Sequence, residues 1–208
     1  MKGTGRPGGY RCDMTRVTVW SDYLCPWCYL NQSRVERLQN HHGIEVRWMP
    51  FELHPGIGPE GRPISAKRFA KFVELADIEG VDFALPDRIM PTRRAHLLAC
   101  FVQATAAESF GDVHRQLFRA VWVEGRDVSD LEVLRTIAQG CGVDGDEAVR
   151  SVVDETHVDL LVAARDEGLE NSVVAVPATL FPNGFLLPGF QDVAVIDRIA
   201  ERMVERGL

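Results

Sequence analysis

The chain has 208 residues, of which 46% are hydrophobic and 25% are charged, as in an ordinary soluble globular protein. A chain of this length forms one domain or two closely joined ones, and it buries a substantial core. Its formal net charge of −7 argues against nucleic-acid binding, because nucleic-acid-binding proteins neutralise phosphate groups with lysine and arginine. No apolar run approaches the roughly 20 residues of a membrane-spanning helix, which argues against a membrane protein.

The N-terminal segment, residues 1–14, is rich in glycine, and we expect it to be a flexible leader. It lacks the apolar core of a secretory signal peptide, so the expected location is the cytoplasm. The five cysteines of the chain are Cys12, Cys25, Cys28, Cys100 and Cys141. An odd and sparse set in a protein without a secretion signal predicts reduced thiols with at most one functional pair.

The first predicted elements form a strand–helix–strand unit. Residues 16–22, RVTVWSD, are mainly β-branched or aromatic and predict a buried strand. A helix with apolar residues at helical spacing begins at Cys25 and runs to about His42. Residues 44–51, IEVRWMPF, predict a second strand. A unit of this length has parallel strands joined by a right-handed crossover.

The middle of the chain changes to helical periodicity. Apolar residues recur at helical spacing in several successive stretches of this region. In one of them Ser129 is the expected N-cap, with Glu132 at the capping-box position. The last of these helices is expected to start at Gly145 or Asp146, and its apolar face continues to Leu160.

The C-terminal part returns to strands. Residues 173–181, VVAVPATLF, predict a strand, and residues 185–187, FLL, pair back with it as a hairpin after a Pro-Asn-Gly turn. Apolar residues at helical spacing from Val193 to Met203 predict a closing helix. The predicted order is therefore βαβ, a helical block and ββα, which places the protein in the α/β class.

The motif with the clearest chemical meaning is Cys25-Pro26-Trp27-Cys28, between the first strand and the first helix. If Cys25 is the N-cap, Pro26 removes no helical hydrogen bond, because the first backbone amide has no helical partner. The free amides of the first turn and the helix dipole would then stabilise a Cys25 thiolate. Cysteines in this position have pKa values of roughly 3.5–7.5, against about 8.5 for a free thiol. We predict that Cys25 is the nucleophile and that Cys28 resolves its mixed disulfides.

Two features leave alternatives open. A CxxC pair is also half of a structural zinc site, but no second pair at suitable spacing exists. Redox chemistry is therefore favoured, and no metal is expected. Val176-Pro177 interrupts a strand-like run, because proline donates no ladder hydrogen bond. It marks either the start of a strand after a loop or a cis peptide bond.

Five stretches, taken in order, resemble the DsbA family, and within it the FrnE-like branch related to 2-hydroxychromene-2-carboxylate isomerases and kappa-class glutathione transferases. They are VWSDYLCPWCYL (19–30), VRWMPFELHP (46–55), AHLL (95–98), LFRAVWVEGRDVSDLEVL (117–134) and VPATLFPNGFLLPGFQ (176–191). The resemblance implies a thioredoxin-like fold with a large all-helical insertion. It divides the chain into a thioredoxin-like domain at 15–58 and 165–208 and an insertion at 59–164.

The resemblance also implies roles for residues around the cysteine pair. Pro177 would be cis and face the cysteines, and Val176 would offer backbone hydrogen bonds to an extended substrate. His96 would face the site from an insertion helix, although a buried helix histidine with a satisfied neighbour is an equally plain interpretation. The predicted site residues are, for catalysis, Cys25, Cys28 and Pro177 and, for substrate binding, Val176, Pro26, Trp27 and His96.

These features predict a dithiol–disulfide oxidoreductase that acts on thiol- or disulfide-containing proteins or small molecules. Its direction depends on a reduction potential that the sequence does not reveal, and no tightly bound cofactor is expected. One alternative is a glutathione-dependent isomerase or transferase of the 2-hydroxychromene-2-carboxylate isomerase type, with glutathione as co-substrate. Relatives of that type commonly carry serine at the Cys25 position. Another alternative is a non-catalytic partner-binding or chaperone-like module. The sequence is compatible with a monomer or a homodimer.

Overall fold

The computed structural model describes residues 16–206, so the predicted leader and Cys12 lie outside the described residues. The order of its elements confirms the predicted βαβ unit, helical block and ββα unit. In chain order they are β1 (Arg16–Ser21), α1 (Pro26–Asn40), β2 (Glu45–Pro50), β3 (Arg62–Pro63), α2 (Ala66–Glu79), β4 (Arg88–Ile89), α3 (Arg93–Thr105), α4 (Phe110–Trp122), α5 (Leu131–Gly140), α6 (Gly145–Val153), α7 (Val158–Glu170), β5 (Ala178–Leu180), β6 (Leu186–Pro188) and α8 (Val193–Arg206).

A four-stranded mixed sheet in the order β2-β1-β5-β6 forms the centre of the fold. β1 and β2 are parallel, as the crossover helix α1 requires. β5 is antiparallel to both β1 and β6. The strand predicted at 173–181 is shorter than expected, since it begins only at Ala178, after the residue that cannot donate a ladder hydrogen bond.

The sheet separates two apolar cores. Val17 and Val19 point to one side, where they pack with apolar residues of α1 and α8. Trp20 points to the other side, where its Nε1 donates a hydrogen bond of 2.9 Å to the Ala164 carbonyl oxygen in α7. Gly168 lets α7 approach this ring, because an added Cβ there would lie 3.0 Å from Trp20 Nε1. The alternation along β1 therefore fixes which helices cover each face.

The segment between β2 and β5 is helical apart from one short ribbon. β3 and β4 pair antiparallel, with Arg62 opposite Ile89. The expected large helical insertion is confirmed. It contains this ribbon in addition, whose two-residue strands are too short to leave a recognisable period in the sequence. Helix α7 spans the predicted boundary at residue 165. Within residues 16–206 no helix has the length and apolarity that crossing a membrane requires.

The N-cap of α5 lies one residue later than predicted. Asp130 is the cap, and its carboxylate accepts a hydrogen bond of 2.8 Å from the Glu132 amide. Ser129, the predicted cap, instead donates its hydroxyl hydrogen to Asp127 Oδ1 at 2.6 Å. The prediction of Ser129 was wrong because either of two adjacent residues could act as the N-cap. The Ser129 hydroxyl already donates its hydrogen bond to Asp127 and does not accept one from the helix.

The helix expected from residue 145 to Leu160 is two helices, α6 and α7. Glu155, between them, has φ of 48°, a left-handed conformation that a right-handed helix cannot include. Its carboxylate accepts hydrogen bonds from Arg93 Nε at 3.0 Å and from a second guanidinium nitrogen at 3.1 Å. The break therefore coincides with an ion pair to α3.

Candidate active site

Cys25 is the N-cap of α1, as predicted, with an extended backbone conformation and Pro26 in the first turn. The first-turn amides do not donate to its sulfur, and this part of the prediction was wrong. The Cys28 amide donates instead to the Cys25 carbonyl oxygen at 3.1 Å. The Cys25 thiol donates to the Val176 carbonyl oxygen, with Sγ 3.4 Å from it. The positive end of the α1 dipole still points toward Cys25.

The peptide bond between Val176 and Pro177 is cis, which confirms the second of the two sequence interpretations. The Pro177 carbonyl oxygen accepts a hydrogen bond of 2.7 Å from the Gly189 amide, just after β6. The loop is therefore tied to the C-terminal hairpin on one side. On its other side it presents the Val176 carbonyl to Cys25, so the structure brings Cys25, Val176 and Pro177 together.

Both cysteines are buried, with 3% of the surface exposed for Cys25 and 1% for Cys28, and Cys28 is not part of the cleft lining described below. Burial raises the pKa of the Cys28 thiol well above its usual value, and the hydrogen bond and charge of Cys25 raise it further. The Asp22 backbone and the nearby Ser21 hydroxyl act in the opposite direction. A thiol with a raised pKa stays protonated at neutral pH, which suits a resolving cysteine better than an attacking one.

A cleft of about 260 Å³ opens beside Cys25. Pro26 and Trp27 lie in its wall and are half-buried, where a substrate could touch them, whereas Pro177 is not part of the lining. The wall is mainly apolar and combines the start of α1, the loop after β2, the β3–β4 ribbon and α2. The lining residues are Leu24, Cys25, Pro26, Trp27, Leu53, His54, Arg62, Pro63, Ile64, Ser65, Arg68, Phe69, Phe72, Ile89 and Val176.

Away from the cleft, Asp22 is a fully buried carboxylate that accepts four hydrogen bonds. Its Oδ1 accepts from the Leu24 amide at 3.2 Å, the Thr92 hydroxyl at 2.7 Å and His96 Nε2 at 3.0 Å. Its Oδ2 accepts from the Leu53 amide at 2.7 Å. Burial by itself would raise the pKa of Asp22, but the His96 charge and the hydrogen bonds outweigh it, so the pKa lies below its usual value.

His96 lies in α3 with 2% of its surface exposed, and it is not part of the cleft lining. Its ring binds Asp22 and packs against the Tyr23 ring with 4.9 Å between centroids. The position of His96 therefore does not support the predicted substrate contact. It fits the other interpretation, a buried helix histidine whose polar atom has a partner, and it positions Asp22.

Helix α4 holds the loop before Cys25 through two hydrogen bonds to Tyr23. The Tyr23 hydroxyl lies 2.9 Å from His114 Nδ1, and Trp122 Nε1 donates to the Tyr23 carbonyl oxygen at 2.8 Å. Burial lowers the pKa of His114 to about 3, so its ring is neutral. Burial also raises the pKa of Tyr23 well above its usual value, so the hydroxyl keeps its proton. Sequence reasoning missed this arrangement, which joins residues 91 and 99 positions apart.

The other described cysteines lie away from the cleft. Cys100 is buried in α3, and burial raises the pKa of its thiol to about 12. Cys141 is half-buried at the C-terminal end of α5. In the part of the chain from residue 16 to residue 206, no three histidine, cysteine or acidic side chains are grouped as metal ligands.

Comparison with known proteins agrees with this geometry. The DSBA-like thioredoxin domain matches residues 16–200. The uncharacterized protein YwbO of Bacillus subtilis (strain 168) is 25% identical over 181 residues, which cover 83% of this chain and 89% of YwbO.

Two solved structures share the fold. The probable DsbA oxidoreductase SCO1869 of Streptomyces coelicolor superposes with a TM-score of 0.81 at 24% identity, covering 92% of this chain and 90% of that one. A 2-hydroxychromene-2-carboxylate isomerase superposes with a TM-score of 0.73 at 17% identity, covering 92% and 97%. The predicted resemblance to the DsbA family is thus confirmed, and the chain belongs to the DSBA-like thioredoxin domain family.

Proposed function

We propose that the protein is a thiol–disulfide oxidoreductase whose reactive pair is Cys25 and Cys28. The observation that carries this proposal is the position of Cys25, which caps α1, lines a cleft and contacts the Val176 carbonyl beside Pro177. Membership of a family whose members are generally thiol–disulfide oxidoreductases supports it. Cys28 supports it further, because it lies outside the cleft lining and its raised pKa keeps it protonated until it attacks the mixed disulfide.

The exchange consists of two successive nucleophilic substitutions at sulfur. In the reducing direction the Cys25 thiolate attacks one sulfur of a substrate disulfide, that bond breaks, and the leaving thiolate takes a proton from water. Cys28 then loses its proton and attacks the Cys25 sulfur, which releases the second substrate thiolate. The products are a Cys25–Cys28 disulfide and two substrate thiols, so two electrons have passed from protein to substrate. The oxidising direction is the reverse.

The remaining assignments follow from the cleft. Pro26, Trp27 and the Val176 backbone would contact the substrate, since all three lie in its wall. We place the protein in the FrnE-like branch and in the cytoplasm, with thiol- or disulfide-containing proteins or small thiols, glutathione among them, as partners. His96 is assigned a positioning role through Asp22.

A trapping experiment tests the proposal. In Cys28→Ser the second substitution cannot occur, so mixed disulfides on Cys25 should accumulate and be identified by mass spectrometry of the non-reduced protein. The matched control is Cys25→Ser/Cys28→Ser, which should carry no adduct at this pair. Absence of adducts in the single variant, together with no exchange by the wild type, would contradict the proposal.

The glutathione-dependent isomerase alternative makes a different prediction for the same variant. An isomerase of that type needs one polar atom at the Cys25 position and no resolving thiol. Activity with glutathione and an aromatic substrate that survives Cys28→Ser would support the isomerase. Exchange activity that disappears in Cys28→Ser supports the oxidoreductase.

A further inference from the structure

The charge of the chain is unevenly distributed along the sequence. The whole chain has a formal net charge of −7. Residues 61–73, GRPISAKRFAKFV, contain four basic residues and no acidic one. The four are Arg62, Lys67, Arg68 and Lys71. An acidic protein therefore carries one strongly basic stretch, which covers β3 and the first two turns of α2.

This basic stretch reaches the cleft beside Cys25. Arg62 and Arg68 are exposed residues of the cleft lining, together with His54, and the lining contains no aspartate or glutamate. Within residues 16–206 neither arginine forms an ion pair with a carboxylate. Arg93, by contrast, is bound to both Glu52 and Glu155. The two guanidinium groups of the cleft are therefore available to a ligand.

The N-terminus of α2 adds to the positive potential of the cleft. Ser65, the N-cap of α2, lies in the lining, its side chain makes no cap hydrogen bond, and the first turn of α2 has no acidic residue. The positive end of the α2 dipole is thus not neutralised by the chain itself. The pKa of His54 is lowered first by burial and then by Arg62, with Arg68 adding to this and Asp22 opposing it.

We propose that this cleft selects disulfides and thiols whose sulfur-bearing residue is flanked by carboxylate groups. This inference rests on the proposed exchange at Cys25 and names its substrate class. Arg62 and Arg68 would bind the carboxylates by charge-assisted hydrogen bonds, while Leu53, Ile64 and Phe69 pack against the apolar part of the substrate. The same chemistry is offered by a small acidic thiol peptide and by an acidic protein segment around a cysteine.

The overall negative charge of the protein explains why an anionic substrate needs positive charges in the cleft. A molecule of net charge −7 repels an anionic substrate at long range, and the attacking Cys25 thiolate repels it at short range. A local excess of positive charge at the cleft reverses the potential where the substrate arrives. It also stabilises the thiolate that leaves when the substrate disulfide breaks. The selection should therefore weaken as salt screens the charges.

The test is a comparison of substrates of different charge on the full chain. Reduced protein is mixed with a disulfide, the reaction is stopped with acid, and the thiols of the Cys25–Cys28 peptide are counted by alkylation and mass spectrometry. The anionic probes are glutathione disulfide and a cystine-linked peptide with aspartate on both sides of the cysteine. The neutral probe is bis(2-hydroxyethyl) disulfide, and the cationic probe is cystamine.

The variant Arg62→Gln/Arg68→Gln removes the two cleft charges. We expect the ratio of its rate constants for anionic over neutral disulfide to fall about tenfold from the wild-type value, and the salt dependence of that ratio to disappear. The control Arg198→Gln/Arg202→Gln makes the same change at two exposed positions of α8 outside the cleft, and its ratio should stay at the wild-type value.

The outcomes separate this inference from the function on which it rests. A preference for glutathione disulfide alone identifies a small substrate, and a preference for the acidic peptide identifies a protein segment; either supports the inference. Equal rate constants for anionic, neutral and cationic disulfides, or equal ratios in the two arginine variants, would overturn it while leaving the exchange activity intact. No reaction with any disulfide would contradict the proposed function itself.

Discussion

The two sides of the cysteine pair differ in their physical character. On the side of Cys25 the cleft is open and mainly apolar, and its two arginines have no acidic partner among residues 16–206. On the other side Asp22 is fully buried, and its polar contacts join α3, the loop after β2 and the turn before α1. Substitutions in the open cleft should change substrate preference with little effect on the free energy of unfolding. Substitutions of the groups bound to Asp22 should lower the free energy of unfolding.

The largest effect, on the rate of disulfide exchange, is expected from substitution of Cys25, which lies between the cleft and the Asp22 cluster. Cys25→Ser should lower the rate of disulfide exchange by at least about a thousandfold, because a hydroxyl at this position is neither ionised nor able to form a disulfide. Single-turnover exchange with a synthetic disulfide measures the loss. Cys141→Ala is the matched control, since Cys141 lies outside the cleft, and it should retain wild-type rates. Equal losses in the two variants would contradict the assignment of Cys25.

The next largest effect is expected on the free energy of unfolding, from substitution of the buried Asp22. Asp22→Asn should lower the free energy of unfolding by about 3–5 kcal/mol, because it removes the charge opposite His96 and turns one acceptor into a donor. Thr92→Val removes only one of the four donors, and about 1 kcal/mol is expected for it. Urea denaturation followed by circular dichroism measures both. If the two variants lose equal stability, Asp22 is not the centre of this cluster.

The pH dependence of the free energy of unfolding tests the contribution of Asp22 separately. The pKa of Asp22 is lowered in the folded protein from its ordinary value of 3.8, so the stabilisation is complete above pH 3.8 and is lost as pH falls through the folded-state pKa. The wild type should therefore lose stability below pH 3.8, and Asp22→Asn should show a shallower fall over the same range. Denaturation curves at several acidic pH values measure the slopes, and parallel slopes would contradict the role of Asp22.

The smallest effect concerns the hydrogen bond between Tyr23 and α4. Tyr23→Phe leaves the buried Nδ1 of His114 without its hydrogen-bond partner, so the free energy of unfolding should fall by about 1 kcal/mol. Tyr29→Phe is the control, because the Tyr29 hydroxyl bonds the Asp82 carbonyl in an exposed setting where water replaces it. A loss for Tyr29→Phe as large as that for Tyr23→Phe would contradict the comparison.

The sequence was enough to predict the parts of the site that are local. Cys25 to Cys28 lie within one turn of helix, and the residue pattern on either side predicts the strand and the helix that present them. Asp22, in contrast, receives its hydrogen bonds from Thr92 and His96, which lie 70 and 74 positions away. Hydrophobic periodicity tells which face of a helix is buried but not which polar groups meet there.

The errors within the helical segment have the same origin. The left-handed conformation of Glu155 cannot be predicted from residue type, since glutamate does not favour positive φ, and its ion pair comes from Arg93, 62 positions away. The proposed role of Arg62 and Arg68 is different, because their clustering is visible in the sequence. Counting charge along the chain, rather than for the whole chain, was the signal that would have found them.

The hydrogen bond from Trp122 to the Tyr23 carbonyl has a consequence for how such proteins can be altered. The turn before Cys25 is held by the last residue of α4, 99 positions further along the chain, so the tetrapeptide does not carry its own support. Grafting the Cys-Pro-Trp-Cys tetrapeptide onto a thioredoxin scaffold without α4 would transfer the sulfur atoms but not this support. Exchange of active-site loops between relatives should therefore carry α4 along with the tetrapeptide.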